Sequence, residues 1–153
     1  MSDDYIKIKN ITFDIDFASL EIIEEEENDL RLYIEVNAME KTVSGISEDG
    51  LDSTEETVQP CFFINNGIKI QDKSYNDLVG KKFTYDYQKD SSQGWGLSFF
   101  DCEDITKGEI EILSKTGDSF HIKWTGTANI NYNDEYGTDV PFECVFHTDN
   151  LLD

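Results

Sequence analysis

Hydrophobic and polar side chains alternate along the longest patterned stretch of this chain, residues 119–132. From Phe120 to Tyr132 every even position is apolar or small, and every odd position between them is polar or charged. Successive side chains of a β-strand point to opposite faces of a sheet, so this period of two predicts a long, half-buried strand. Gly126 lies within it and predicts a bulge or the close approach of a second backbone.

Other segments show the same alternation or a shorter apolar run. Strands are predicted at 6–8, 11–17, 20–23, 30–38, 62–64, 68–70, 83–87, 110–112 and 142–147. A change of phase near Asn10 predicts a break between the first two of them. The chain has only 3 alanines but 33 β-branched residues (Ile, Val and Thr), a composition that favours sheet over helix.

Polar turns are expected to join neighbouring strands. Asn66-Gly67 separates two apolar runs and is the strongest short hairpin signal in the chain. Residues 115–118 predict a second hairpin. The acidic run 24–29 is expected to turn one strand into the next, and an amphipathic helix that starts at Ser19 is the alternative for this region.

Two stretches lack strand periodicity. Residues 40–58 contain two glycines and several acids, and they predict a long acidic loop. Ser74 and Asp77 resemble a helix start and Gly80 a helix stop, which predicts one helical turn. The expected fold is mainly β: a single antiparallel domain over residues 1–153, of about eight to ten strands, built as a sandwich or a partly closed barrel with one or two short helical turns.

Groups for covalent catalysis are scarce. His121 falls on the solvated face of its strand, and Cys144 and His147 are three residues apart, which sends them to opposite faces of a sheet. The three cysteines are odd in number and scattered, so we expect packed thiols rather than a disulfide framework. No motif for a nucleophile, a zinc site or a phosphate loop occurs, and we predict that the protein is not an enzyme.

Acidic turns raise the question of calcium. Residues 131–137 carry acids and amides at alternate positions, but Tyr136 stands where the helix-loop-helix calcium motif requires glycine. Solvated turns account for this segment and for the acids of 101–104, so no metal or cofactor is predicted.

The formal net charge of −21 excludes several partners. Nucleic acids are bound through Lys and Arg, which displace counterions from phosphates, and anionic membranes attract the same residues. The first five residues include Asp3 and Asp4 where a signal peptide needs positive charge, and no apolar stretch is long enough to span a bilayer. We therefore expect a cytoplasmic protein with neither nucleic acid nor membrane as its partner.

The charge instead predicts a basic protein partner, because an acidic surface accelerates association with a basic one. The expected partner has an active cleft that binds phosphates, as nuclease toxins do. The candidate contacts are loop acids, together with two exposed aromatic anchors. The residues are Glu24, Glu25, Glu26, Glu27, Asp29, Glu48, Asp49, Asp52, Glu55, Glu56, Asp134, Glu135, Asp139, Tyr136 and Trp95.

A different class of function, a ligand- or carbohydrate-binding β module, is the alternative. It depends on exposed aromatic side chains that stack on sugars, and Trp95 between Gly94 and Gly96 is the best candidate.

The C-terminal half resembles a known group of proteins over roughly residues 74–147. The resemblance lies in turn glycines, core aromatics and a helical turn, in the order 77–83 (DLVGKKF), 95–100 (WGLSFF), 108–112 (GEIEI), 120–128 (FHIKWTGTA) and 140–143 (VPFE). These features resemble small β-rich immunity proteins encoded beside bacterial polymorphic or contact-dependent toxins. The resemblance implies a cytoplasmic antitoxin without catalytic residues that binds one cognate toxin domain.

Overall fold

A computed structural model describes residues 4–46, 53–71, 74–99, 102–130 and 137–148. The structure is mostly β. The strands of the described residues are β1 (Tyr5–Ile8), β2 (Ile11–Phe13), β3 (Ile15–Glu26), β4 (Asp29–Ala38), β5 (Lys41–Ile46), β6 (Ser53–Val58), β7 (Cys61–Ile64), β8 (Ile68–Ile70), β9 (Lys82–Asp86), β10 (Trp95–Ser98), β11 (Cys102–Thr116), β12 (Ser119–Ile130) and β13 (Gly137–His147). One short helix, α1 (Tyr87–Asp90), and 3₁₀ turns at Tyr75–Leu78 and Ser91–Gln93 complete the described elements.

Eleven strands form one curled antiparallel sheet, a half-barrel. Its order is β2-β1-β13-β12-β11-β10-β7-β4-β3, with β9 also paired to β11 and β8 also paired to β4. This confirms the predicted class of fold, a mainly β, antiparallel structure with short helical turns. The described strands outnumber the eight to ten expected, because β5, β6 and β10 lie in segments where no strand was predicted. None of the described helices is long and apolar enough to cross a membrane.

The long strand β11 bends, and it pairs with a different strand on each side of the bend. One edge pairs with β10 at residues 102–104 and with β9 at 107–111, and its register against β12 shifts between Ile105 and Lys107. Gly126 of β12 lies against this shift, where a Cβ atom would stand 2.1 Å from the Lys107 carbonyl oxygen. The close backbone approach predicted at Gly126 is therefore confirmed.

Aromatic side chains fill the interior of the curl. Trp124 is fully buried and packs edge-on against Trp95, with ring centroids 5.5 Å apart. Phe62 contacts both Trp124 and Phe142, at 5.8 and 4.7 Å between centroids. The alternation of β12 and β13 thus buries the residues it predicted, since Phe120, Ile122, Trp124 and Phe146 are all fully covered.

The Asn66-Gly67 hairpin prediction is wrong. Strands β7 and β8, on either side of this dipeptide, both pair with β4, so the chain continues along one edge instead of reversing. The backbone N–H groups of Asn65 and Asn66 donate to the carbonyls of Gly94 and Gln93 at 2.8 and 2.9 Å. Gly67, at φ +82°, then returns the chain to the edge of β4. Asn66-Gly67 therefore lies at a break between β7 and β8 along the edge of β4, because the backbone here is hydrogen-bonded to a distant loop.

The predicted loop at 40–58 is also corrected. Its ends form the antiparallel hairpin β5–β6, a sheet of two strands. Val43 and Val58 are buried at the base of the hairpin, and Lys41 donates to the Thr12 carbonyl at 2.7 Å. Val43 and Val58 are far apart in sequence, so they do not produce the alternation of apolar and polar residues that predicts a strand. Residues 47–52, at the centre of the predicted loop, lie outside the described residues.

Other local predictions have mixed outcomes. The helix considered from Ser19 is wrong, since β3 and β4 form one antiparallel hairpin that turns at Asn28, with φ of 66°. The hairpin at 115–118 and the helical turn after Ser74 are confirmed. The single strand predicted at 11–17 divides at Asp14, whose carbonyl accepts a hydrogen bond from the Met39 N–H.

Substitution of Gly126 by alanine tests the backbone contact that bends β11. We expect Gly126→Ala to lower the free energy of unfolding by about 3 kcal/mol or more, because the added methyl group meets backbone that cannot rotate away. Urea denaturation measures this change. The control is Gly117→Ala, at φ +61° with no described atom within 4 Å of its Cβ position, which should cost about 1 kcal/mol from backbone strain alone. Equal losses in the two variants would contradict the assignment.

Candidate protein-binding face

The outward side of β3, β4 and β7 is a continuous surface that we call the acidic face. Alternation along β4 buries Leu32, Ile34 and Val36 and leaves the residues between them on the outside. The antiparallel register then places outward residues of three strands side by side. The outward side chains are Phe17, Ser19, Glu21, Ile23, Glu25, Arg31, Tyr33, Glu35, Asn37, Cys61 and Phe63.

Almost all of the charged residues on the β3–β4 hairpin are acidic. Residues 15–38 contain eight carboxylates and one basic residue, Arg31. Arg31 Nε donates to Asp29 Oδ1 at 2.9 Å, and this bond lowers the pKa of Asp29. The guanidinium charge is thus offset by its own neighbour. By contrast, strands β1, β9, β11, β12 and β13 together carry seven carboxylates and five lysines. The β3–β4 hairpin therefore carries more of the excess negative charge than these five strands together.

Of the candidate acids, five lie together at the turn of this hairpin. Glu24, Glu25, Glu26 and Glu27 are exposed, and Asp29 is half-buried beside them. Four carboxylates in a row at an exposed turn remain accessible to water, which limits the cost of their mutual repulsion. The structure thus brings this part of the predicted set together.

A shallow depression of about 260 Å³ lies in the middle of the acidic face. Carboxylates of Glu21 and Glu35 stand beside the side chains of Ile23, Tyr33 and Phe63 around it. The register explains the mixture, because Glu35 pairs with Phe63 on one side and with Ser19 on the other, and Glu21 pairs with Tyr33. The depression therefore joins aromatic surface to negative charge.

The aromatic rings of this depression pack closely over two glycines. A Cβ atom on Gly96 would lie 2.6 Å from the Phe63 ring, and one on Gly67 would lie 2.9 Å from the Tyr33 ring. The Tyr33 hydroxyl also donates to a carboxylate oxygen of Glu25, and this bond is the main cause of the raised pKa of Tyr33. Both rings are half-buried, so each is supported from below and partly open to solvent.

Trp95 is a correction. It was predicted as an exposed anchor, but only 2% of its surface is exposed. Its ring stacks on Tyr85 at 4.8 Å between centroids, and its Nε1–H donates to Gln93 Oε1 at 2.9 Å. Gly108 of β11 makes room for the ring, since a Cβ there would lie 2.8 Å from it. The glycines on either side of Trp95 indicated an open loop. Trp95 is buried instead, because Gly108 on another strand leaves space for its ring.

None of the remaining candidates that the structure describes lies on β3, β4 or β7. Asp139 lies at the start of β13, where Thr106 Oγ1 donates to its carboxylate at 3.0 Å. Glu55 and Glu56 belong to β6, opposite Ser44 and Val43. The other candidates lie outside the described residues: Glu48, Asp49, Asp52, Asp134, Glu135 and Tyr136.

Sequence reasoning missed the centre of the face. The alternation at 30–38 already marked Tyr33 and Glu35 as outward residues, and the opposite phase of Phe62 marked Phe63. The grouping could not be predicted, since it depends on β7 pairing with β4 across 24 to 28 residues of sequence.

The cysteine and histidine side chains show no arrangement typical of a nucleophile with its base. Burial, and then the nearby Glu35 carboxylate, raise the pKa of the Cys61 thiol to about 12, and burial also raises the pKa of Cys144. His121 and His147 stack on each other at 4.2 Å between centroids, away from the buried Cys144. Among the described residues, no group of three or more His, Cys, Asp or Glu side chains is placed to hold a metal ion.

Comparison with protein-family models, with curated proteins and with solved structures finds no match to this chain.

The thiol environments predict the order in which the cysteines react. In the native protein at pH 8, Cys102 should react with a disulfide reagent such as DTNB at once, because it is exposed. Cys144 should react only on unfolding because it is buried, and the half-buried Cys61 should react much more slowly than Cys102, since a raised pKa leaves little thiolate. A Cys102→Ser variant should lose the fast phase. A fast phase that persists in this variant would contradict the described burial.

Proposed function

We propose that this protein is a non-enzymatic, acidic immunity or inhibitor protein that binds and neutralises a basic cognate toxin of the nuclease type in the bacterial cytoplasm. The observation that carries the proposal is the concentration of carboxylates on the β3–β4 hairpin, which has eight acids and a single, internally paired arginine. A charge spread for solubility alone would not need this segregation.

Steering explains what such a face can do. A surface of one sign raises the local concentration of an oppositely charged partner and lifts association rates by roughly 10 to 10³-fold at low salt. An inhibitor gains from speed, because it must reach its target before the toxin acts. A nuclease offers Lys and Arg around a phosphate-binding cleft, and that cleft is complementary to a row of carboxylates.

Contact, as distinct from encounter, needs groups that exclude water. Binding energy concentrates in a few aromatic and arginine residues at the centre of an interface, surrounded by a polar rim. The acidic face has this layout, with Tyr33 and Phe63 at the centre and Glu21, Glu25 and Glu35 around them. The burial of Trp95 removes the aromatic candidate on which the carbohydrate-binding alternative depended, and it also removes one of the two anchors predicted for protein binding.

A genetic experiment tests the proposal. The gene immediately upstream is expressed in cells that lack this protein, and growth is measured with and without its co-expression. We expect the neighbouring product to stop growth and this protein to restore it. A neighbour that is harmless in cells lacking this protein would remove the main support for the immunity proposal.

Charge reversal at the hairpin turn tests the mechanism. We expect Glu26→Lys combined with Glu27→Lys to slow association with the toxin by about ten-fold or more at low salt. The difference from the wild type should vanish near 1 M salt, where the Debye length is about 3 Å. Stopped-flow fluorescence with an inactivated toxin measures both rates.

The matched control reverses Asp77 and Asp118, two exposed acids at turns outside the acidic face. It makes the same change in net charge, so a purely global effect would slow both variants equally. Equal slowing would show that the hairpin turn is not the steering element.

A further inference from the structure

We propose that the depression on the acidic face is an arginine-binding site, which receives guanidinium side chains of the partner and discriminates them from lysine. The inference rests on the proposed function, in that it assumes a basic protein partner. It goes further because it assigns a residue type to a defined place.

The first argument is the composition of the depression. Its lining combines two aromatic residues, three isoleucines, one serine and two glutamates around about 260 Å³. A hydrophobic ligand would desolvate the carboxylates of Glu21 and Glu35 without supplying a positive charge, which is costly even though the Cys61 thiol donates to Glu35 Oε1 at 3.7 Å. A small, strongly hydrated metal ion would gain little from the apolar surface of Tyr33, Phe63 and Ile23. A long side chain with an aliphatic stem and a cationic end satisfies both kinds of surface.

The second argument is the support of the rings. Phe63 lies over Gly96 and Tyr33 over Gly67, and the Glu25 carboxylate fixes the Tyr33 hydroxyl. Rings held in this way lose little conformational entropy when a ligand stacks on them. Glu35 pairs directly with Phe63, and Glu21 directly with Tyr33, so each ring has a carboxylate at its side.

The third argument separates arginine from lysine. A guanidinium group is planar, weakly hydrated and able to stack on an aromatic ring while it donates to a neighbouring carboxylate. An ammonium group is compact and strongly hydrated, and it loses more on leaving water. The face already holds one guanidinium, since Arg31 donates from both Nε and Nη2 to Asp29, at 2.9 and 3.4 Å. Arg31 is not among the residues that line the depression.

Two peptides of equal charge test the proposal: acetylated and amidated hexa-arginine and hexa-lysine. Each is titrated into the ¹⁵N- and ¹³C-labelled full chain and followed by NMR, at 20 and 150 mM NaCl. At 150 mM NaCl we expect hexa-arginine to bind about three-fold tighter or more than hexa-lysine. The ring resonances of Tyr33 and Phe63 should shift with hexa-arginine.

Variants assign the preference to the depression. Tyr33→Leu should abolish the preference for arginine, because it weakens the binding of hexa-arginine more than that of hexa-lysine. The matched control Tyr87→Leu, at a tyrosine that is 45% exposed elsewhere on the surface, should keep the preference. Glu35→Gln, which preserves shape, should weaken hexa-arginine binding and provides the answer if Tyr33→Leu does not fold.

Each outcome distinguishes the two proposals. Equal affinities for the two peptides, or shifts confined to the hairpin turn, would overturn the arginine site and leave the acidic steering surface in place. If neither peptide binds even at 20 mM NaCl, both the site and the proposed function lose their physical basis.

Discussion

The curl of the sheet depends on one close contact between backbones, that of Gly126 with Lys107. Without a side chain at Gly126, β11 can press against β12 while its register shifts, and the strand bends at that point. The residues before the bend pair with β10 and those after it with β9. The strands on either side are thereby rolled towards each other around Trp124, which contacts both Trp95 and Phe62. Sheets curve where bulges and glycines allow it.

The same arrangement prepares the acidic face. The apolar sides of β4 and β7 are committed to the interior, through residues such as Ile34 and Phe62. Their outer sides are therefore left to the alternate residues, among them Tyr33, Glu35 and Phe63. Self-repulsion among many carboxylates opposes compaction. Here the exposed turn carries the densest charge, where water screens it best, and the half-buried part of the face interleaves acids with rings.

Local pattern and tertiary context contributed differently to what could be predicted. Alternation revealed β4, β12 and β13 and their buried faces, because the period of two is a property of a single strand. It could not reveal pairing partners, so the break at Asn66-Gly67 was mistaken for a hairpin. Trp95 was misplaced for the same reason, since a glycine thirteen residues away provides its space. At the candidate site, the acidic turn of β3–β4 was evident from charge alone, whereas the aromatic centre emerged only from the register of three strands.

The position of β3 has a consequence for how copies of this protein meet. It is the last strand in the order of the described sheet, and only part of it is covered, for example where its Ile22 N–H donates to the Tyr75 hydroxyl. A long terminal strand is a template on which a neighbouring molecule can add its own strand. The carboxylates along β3 would face those of an identical neighbour at close range. We propose that this negative charge attracts a basic partner. The same charge therefore also opposes self-association and fibril growth.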